Sequence, residues 1–80
     1  MIEFDRKKLK FKLDGREHEV NFPTVGQLKA YQKANQESQD TFETTIYFLE
    51  KLGLEKEVCM GLEADHLQTI VEYISGQKKI

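Results

Sequence analysis

The sequence predicts an α+β fold in which an N-terminal antiparallel β-hairpin is followed by three helices. Two segments of alternating polar and apolar residues meet at Asp14-Gly15, and apolar residues then recur at helical spacing in three later stretches. Strands followed by helices are typical of a small antiparallel sheet with helices on one face. With 80 residues, of which 39% are hydrophobic, we expect residues 1–80 to form a single domain.

The two strands are predicted at about residues 2–13 and 16–22, joined by Asp14-Gly15. An Asp-Gly pair favours a type I′ turn, because both central residues need a positive φ angle. A two-residue turn pairs Lys10 with Glu19 and Phe11 with His18, and it places apolar residues on one face of the hairpin. A slip by one residue would exchange the two faces, so this pattern specifies the register. The change of phase after Phe4 predicts a bulge or bend at Asp5-Arg6.

The three helices are predicted at about residues 24–36, 40–52 and 64–75. Thr24 with Gln27 and Asp40 with Glu43 fit capping boxes, as does Asp65 with Gln68. Gly53 and Gly76 are placed to end the second and third helices. Residues 54–62 are compatible with either a helical turn or an extended connector, and residues 77–80 are expected to fray.

Apolar stripes predict which side of each helix is buried. The stripes consist of Val25, Leu28, Tyr31 and Ala34 in the first helix, Phe42, Ile46, Leu49 and Leu52 in the second, and Leu67, Ile70, Val71 and Ile74 in the third.

Neither a metal centre nor a catalytic pair is indicated by the cysteine and the two histidines. Cys59 is the only cysteine, and we interpret it as a small buried hydrophobic residue. His18 is expected at the rim of the sheet and His66 in solvent. Their spacing matches no recognised set of metal ligands, and Cys59 lacks an evident base with an orienting partner. We therefore expect a protein that is not an enzyme and has no cofactor.

Aromatic residues in excess of what a small core needs provide the clearest indication of function. Tyr47 and Phe48 widen the stripe of the second helix, and Tyr73 lies off the stripe of the last helix. Tyrosine offers a large contact area at a low cost in conformational entropy. We therefore predict that Tyr47, Phe48 and Tyr73 bind a partner. The alternative is that these residues complete the core or lie singly on the surface.

Composition also indicates where the protein acts and with what. The net charge of −2 gives little electrostatic attraction for nucleic acid. The first residues do not resemble a signal peptide, and the chain lacks an apolar run long enough to span a membrane. A lone thiol favours the cytoplasm. Because so small a domain often gains stability from association, we expect a homo-oligomer or a complex with a partner.

Several short motifs resemble those of the small tail assembly chaperones of long-tailed, siphovirus-type bacteriophages. The hairpin at Leu13-Asp-Gly15 leads through Val20–Leu28 into a helix, and the chain ends with an acidic helix start at Asp65 and the segment Tyr73–Lys79. The segment Phe22–Gly26 (FPTVG) contributes most to this resemblance.

The resemblance implies a non-enzymatic role in virion assembly. Such chaperones coat the long tape measure protein, present it for polymerisation of the tail tube, and tend to self-associate. Many are also made as a longer product by a programmed frameshift, for which Lys78-Lys79 is a suitable position. The resemblance implies a helical partner, bound in an apolar groove with complementary charge.

Two other functions compete with this one. A small nucleic-acid-binding protein would use the basic strand, with Lys7, Lys8, Lys10 and Lys12. A small regulatory subunit, such as a member of a toxin–antitoxin pair, cannot be distinguished from a chaperone by sequence.

Overall fold

The computed structural model describes residues 1–76, and its architecture is the predicted α+β arrangement of an N-terminal hairpin followed by helices. The strands are β1 (Lys8–Leu13) and β2 (Arg16–Asn21), and the helices are α1 (Val25–Glu37), α2 (Thr41–Lys51), α3 (Lys56–Met60) and α4 (Ala64–Ile74). The predictions for fraying at 77–80 and for a frameshift at 78–79 lie outside the described residues.

The hairpin has the predicted register. Lys10 lies opposite Glu19 and Phe11 opposite His18, and Asp14 and Gly15 both have positive φ angles, of 52° and 79°, as a type I′ turn requires. On the outer face, Glu19 accepts ion pairs from Lys8 and Lys10 at 3.6 and 3.8 Å. The inner face packs Leu9, Phe11 and Val20 against the core.

The prediction that the first strand begins near residue 2 and bulges at Asp5-Arg6 is wrong, because β1 begins at Lys8. The second strand ends at Asn21, just before Pro23, so residues 2–6 have no chain opposite them. The last inter-strand hydrogen bond runs from the Phe22 N–H to the Lys7 carbonyl. Without a partner to complete a ladder, the preceding residues are left outside the sheet.

The helix boundaries agree with the predictions to within two residues. The capping box at Thr24 is confirmed, whereas Asp40 is an N-cap without the second bond of a box, because its N–H donates to the Ser38 hydroxyl. The Thr24 hydroxyl accepts from the Gln27 N–H, and the Gln27 side chain accepts from the Thr24 N–H. Asp40 accepts from the Glu43 N–H. The predicted box at Asp65 is wrong, because the N-cap of α4 is Glu63, two residues earlier, and its side chain makes no capping hydrogen bond. Asp65 lies in the first turn, where its charge favours the helix dipole.

Residues 54–62, for which the sequence left two possibilities, contain the short helix α3. Before it, α2 ends in a Schellman motif: the Leu54 N–H donates to the Leu49 carbonyl and the Gly53 N–H to the Glu50 carbonyl. Gly53 has a φ angle of 100°. The Asn21 N–H donates to the Leu52 carbonyl at 2.9 Å. The end of α2 is thereby joined to β2, which brings the helices under the hairpin.

One apolar core connects the hairpin to the helices. Its buried residues, among those described, are Val20, Phe48, Leu49, Leu52, Leu54, Cys59, Leu67, Ile70 and Ile74. The predicted stripe of α4 is confirmed, with Val71 at its half-buried edge. In α1, Leu28 and Tyr31 pack against the core, whereas Val25 and Ala34, the first and last residues of the predicted stripe, are exposed.

The buried side of α2 differs from the predicted one. The stripe of Phe42, Ile46, Leu49 and Leu52 is replaced by Thr45, Phe48, Leu49 and Leu52. Phe42 is exposed and Ile46 half-buried. A small rotation of the helix about its axis therefore exchanges Phe48 for Phe42 in the core, and this rotation determines which aromatic residues reach the surface.

Candidate partner-binding surface

Contacts between α1 and α2 determine how α2 is rotated. The Tyr31 ring stacks on the Phe48 ring with 4.2 Å between centroids and 14° between planes. The Thr45 hydroxyl donates to the Thr41 carbonyl at 2.8 Å. Since that bond uses its only hydrogen, the Tyr31 O–H must be the donor in the 2.9 Å bond between the two hydroxyls. Tyr31 thus holds both Thr45 and Phe48 on the buried side of α2.

The structure separates the three residues that were predicted to bind a partner. Tyr47 is 62% exposed, whereas Phe48 is 5% exposed and belongs to the core. Phe48 therefore offers little area to a partner. Tyr73 lies near the end of α4, where it is half-buried, and it lines neither of the recesses that flank Tyr47.

Exposed and half-buried apolar residues surround Tyr47, and together with it we call them the Tyr47 surface. They come from three helices: Ala30 and Ala34 of α1, Phe42, Ile46 and Tyr47 of α2, and Met60 of α3. Contiguous apolar surface of this kind is uncommon on a soluble monomer unless it serves as an interaction site.

Two depressions flank Tyr47. The α1–α2 recess, of about 260 Å³, is lined by Ala30, Ala34, Tyr31, Tyr47 and Phe48, with Lys51 at its rim. The Lys51 ammonium lies over the Tyr47 ring, 4.9 Å from its centroid, where a cation is attracted by the ring.

The second depression, the α2–α3 groove, is larger, at about 690 Å³. Its apolar residues are Ala34, Phe42, Ile46, Tyr47 and Met60, and its charged residues are Asp40, Glu43, Glu50 and Lys56. Three carboxylates and one ammonium give this groove a net negative charge.

Phe42, Ile46 and Met60 were not predicted as surface residues. The signal that could have identified the first two is the alternative stripe of Thr45, Phe48, Leu49 and Leu52, whose i, i+3, i+4, i+7 spacing is at least as regular as the predicted one. The polar Thr45 obscured it, although a threonine whose hydroxyl is satisfied by the helix backbone can be buried.

Cys59 and the two histidines have the environments that the sequence predicted. Cys59 is buried, and this burial, together with the charge of Glu50, raises the pKa of its thiol from 9.0 to about 11. The thiol is therefore protonated at neutral pH, where it is a poor nucleophile. His18 is half-buried beside the Phe11 ring, with 5.5 Å between centroids, and His66 is exposed. Among residues 1–76, no three His, Cys, Asp or Glu side chains are arranged to hold a metal ion.

The lysines of the basic strand differ in their surroundings. Lys8 and Lys10 share the carboxylate of Glu19, and Lys12 lies opposite Glu17 in the register. The glutamates of β2 therefore offset much of the positive charge of β1. As for membranes, none of the helices within residues 1–76 has the length and apolar character needed to cross one.

Comparisons of the chain with protein-family models, with curated proteins and with solved structures found no match.

Proposed function

We propose that this protein is a non-enzymatic tail assembly chaperone of a long-tailed bacteriophage. In this role it holds a helical segment of the tape measure protein, associates with further copies of itself, and acts in the cytoplasm of the host cell. The observation that carries the proposal is the Tyr47 surface, which leaves aromatic and aliphatic side chains of three helices uncovered. The motif Phe22–Gly26 supports the choice of family.

The α1–α2 recess suits an anchor side chain from an amphipathic helix. Such a helix presents apolar side chains three or four residues apart to a groove. Ala30 and Ala34 are small and lie one turn apart on α1, so the backbone of a partner can approach closely. Tyr47 forms one wall of the recess, and tyrosines in such positions often dominate the free energy of binding.

Co-expression tests this proposal. The protein is produced together with helix-rich fragments of a phage tape measure protein, and the soluble, co-purifying fraction of each fragment is measured. We expect a fragment that is insoluble alone to become soluble and to co-purify. Tyr47→Ala should weaken the complex at least tenfold, or by about 1.4 kcal/mol or more.

Val25→Ala is the matched control for this experiment, because Val25 is an exposed apolar residue of α1 that lines neither depression. It should bind as the wild type does. Failure of every fragment to co-purify, or equal binding by Tyr47→Ala and wild type, would contradict the proposal.

The competing nucleic-acid function is tested by titration with duplex DNA at low and moderate salt. Because Glu19 neutralises part of the charge of Lys8 and Lys10, we expect little binding at either salt concentration. Affinity that is strong at low salt and falls steeply as salt is added would favour the nucleic-acid function instead.

A further inference from the structure

Residues 1–7 carry apolar side chains that the rest of the described chain leaves uncovered. Ile2 is 79% exposed and Phe4 90% exposed, and no strand or helix includes them. We call residues 1–7 the arm. Large apolar side chains that are close together and exposed are typical of an interaction site. Within one copy of the chain, nothing in the described residues covers them.

The alternation of residues in the arm would divide it into two chemically distinct sides. In an extended segment, residues two apart point to the same side. Ile2, Phe4 and Arg6 would therefore lie on one side of the arm. Glu3, Asp5 and Lys7 would lie on the other. One side thus consists of two apolar side chains followed by a cation.

The α2–α3 groove presents the complementary order. Phe42, Ile46 and Glu50 are four residues apart on α2 and all line the groove. They form a row of two apolar side chains followed by an anion. Neighbours in this row are separated by about 6 Å along the helix, and neighbours on one side of an extended strand by about 6.6 Å. The two rows therefore match in both spacing and chemistry.

We propose that the arm of one copy lies in the α2–α3 groove of a second copy, running parallel to α2. In this arrangement Ile2 packs on Phe42, Phe4 on Ile46, and Arg6 pairs with Glu50. Asp40 and Glu43 add to the negative charge around the groove. Lys56 is the opposing charge in the lining, and it leaves the groove acidic overall.

A second copy is the occupant that this chain supplies by itself. Because each copy carries both an arm and a groove, a two-fold exchange makes every contact twice and closes the assembly. An aromatic side chain buries about 150–250 Å². A small stable interface buries roughly 1,200 Å² of surface in total. The two Phe4 side chains, their neighbours in the arm and the groove surfaces that they cover account for much of this area. The inference rests on the self-association included in the proposed function, and it identifies the contact.

The test measures the dimer dissociation constant by sedimentation velocity over a wide range of protein concentration. Phe4→Ala and Arg6→Glu should each raise this constant at least tenfold. Both residues are exposed, so the fold should be unchanged by circular dichroism. Lys7→Glu is the matched control, because Lys7 is the neighbouring cation on the other side of the arm, and it should change the constant less than threefold.

A charge exchange tests the register of the arm. Glu50→Arg alone should weaken the dimer as Arg6→Glu does, and the double variant should recover affinity to within about threefold of the wild type. Dimerisation that is unaffected by Phe4→Ala and Arg6→Glu, or not recovered by the double variant, would overturn the inference while leaving self-association intact. A wild-type protein that is monomeric at every concentration would overturn both. The co-expression experiment is read independently of either result.

Discussion

Tyr47 and Phe48 are adjacent in sequence, yet they have opposite environments. Tyr47 projects between two depressions with Lys51 over its ring, whereas the Phe48 ring is covered by Tyr31. A substitution at either position removes a similar amount of aromatic surface. Loss of the buried Phe48 ring should lower the stability of the fold, whereas loss of the exposed Tyr47 ring should affect partner binding.

We predict that Phe48→Ala lowers the free energy of unfolding by about 3–5 kcal/mol, because it opens a cavity in the core and removes the ring stack with Tyr31. Tyr47→Ala should change it by no more than about 0.5 kcal/mol, as substitutions on the surface usually do. Urea unfolding followed by circular dichroism measures both. Equal losses of stability at the two positions would contradict the assignment of their environments.

The burial of Cys59 should also affect the reactivity of its thiol. Because the pKa of its thiol is raised from 9.0 to about 11, the native protein at pH 8 should contain about a hundredfold less thiolate than the unfolded chain. Alkylation by iodoacetamide at pH 8 should therefore be at least that much slower in the native protein than in urea. Comparable rates in the two states would show that the thiol is exposed.

The same shift in pKa makes stability depend on pH. Since the folded pKa is raised, the contribution of the protonated thiol is complete below pH 9 and is lost as the pH rises to about 11. Over this window the free energy of unfolding should fall more steeply for the wild type than for Cys59→Ala. The difference between the two variants isolates the contribution of the Cys59 thiol.

At the scale of elements, the end of α2 determines how the helices meet the hairpin. Gly53 allows the chain to turn in the left-handed conformation, and the Leu52 carbonyl before it accepts from the Asn21 N–H of β2. The motif that ends the helix thus also connects the helical layer to the sheet. A substitution that distorts this turn would shift the helices relative to the sheet, although it removes no apolar contact directly.

We predict that Gly53→Ala destabilises the protein by about 1–2 kcal/mol, the cost of a left-handed backbone for a residue with a Cβ. The added Cβ would lie at an ordinary distance of 3.5 Å from the Asn21 side-chain nitrogen, so the cost is conformational. Gly61→Ala is the control, because Gly61 has a φ angle of −86° and should be neutral or slightly stabilising. Thermal unfolding of both variants measures the difference, and equal effects would contradict it.

At the scale of the whole molecule, a small core coexists with a large uncovered apolar surface. The Tyr47 surface and the arm are exposed in one copy of the chain, whereas association would cover part of them. Ligands or subunits that bind only the folded state stabilise it by mass action. Stability and association should therefore be coupled in this protein.

We predict that the midpoint of thermal unfolding rises with protein concentration, because association favours the folded state. Differential scanning calorimetry over a wide concentration range measures this. Arg6→Glu, which is expected to weaken association, should show a smaller dependence. A midpoint that is independent of concentration in the wild type would indicate that folding and self-association are not coupled.

Features that depend on local geometry could be predicted from the sequence alone. The register of the hairpin follows from two-residue alternation around Asp14-Gly15, and the caps at Thr24 and Asp40 follow from hydrogen bonds within one turn of helix. The end of α2 at Gly53 likewise needs only a residue that tolerates a positive φ angle. Each of these interactions joins residues that are close in the chain, so a short motif is sufficient to specify it.

The buried side of α2 and the length of β1 could not be predicted from the sequence, because both depend on contacts between elements. Helical periodicity gives the angles between residues of one helix but not the rotation of that helix against its neighbours. The contacts of Tyr31 with Thr45 and Phe48 set that rotation, and they join two different helices, α1 and α2, whose relative placement no short motif specifies. The length of β1 likewise depends on its neighbour. Residues 2–6 alternate like a strand, but they lie outside the sheet because β2 ends at Asn21 and leaves them without a strand opposite.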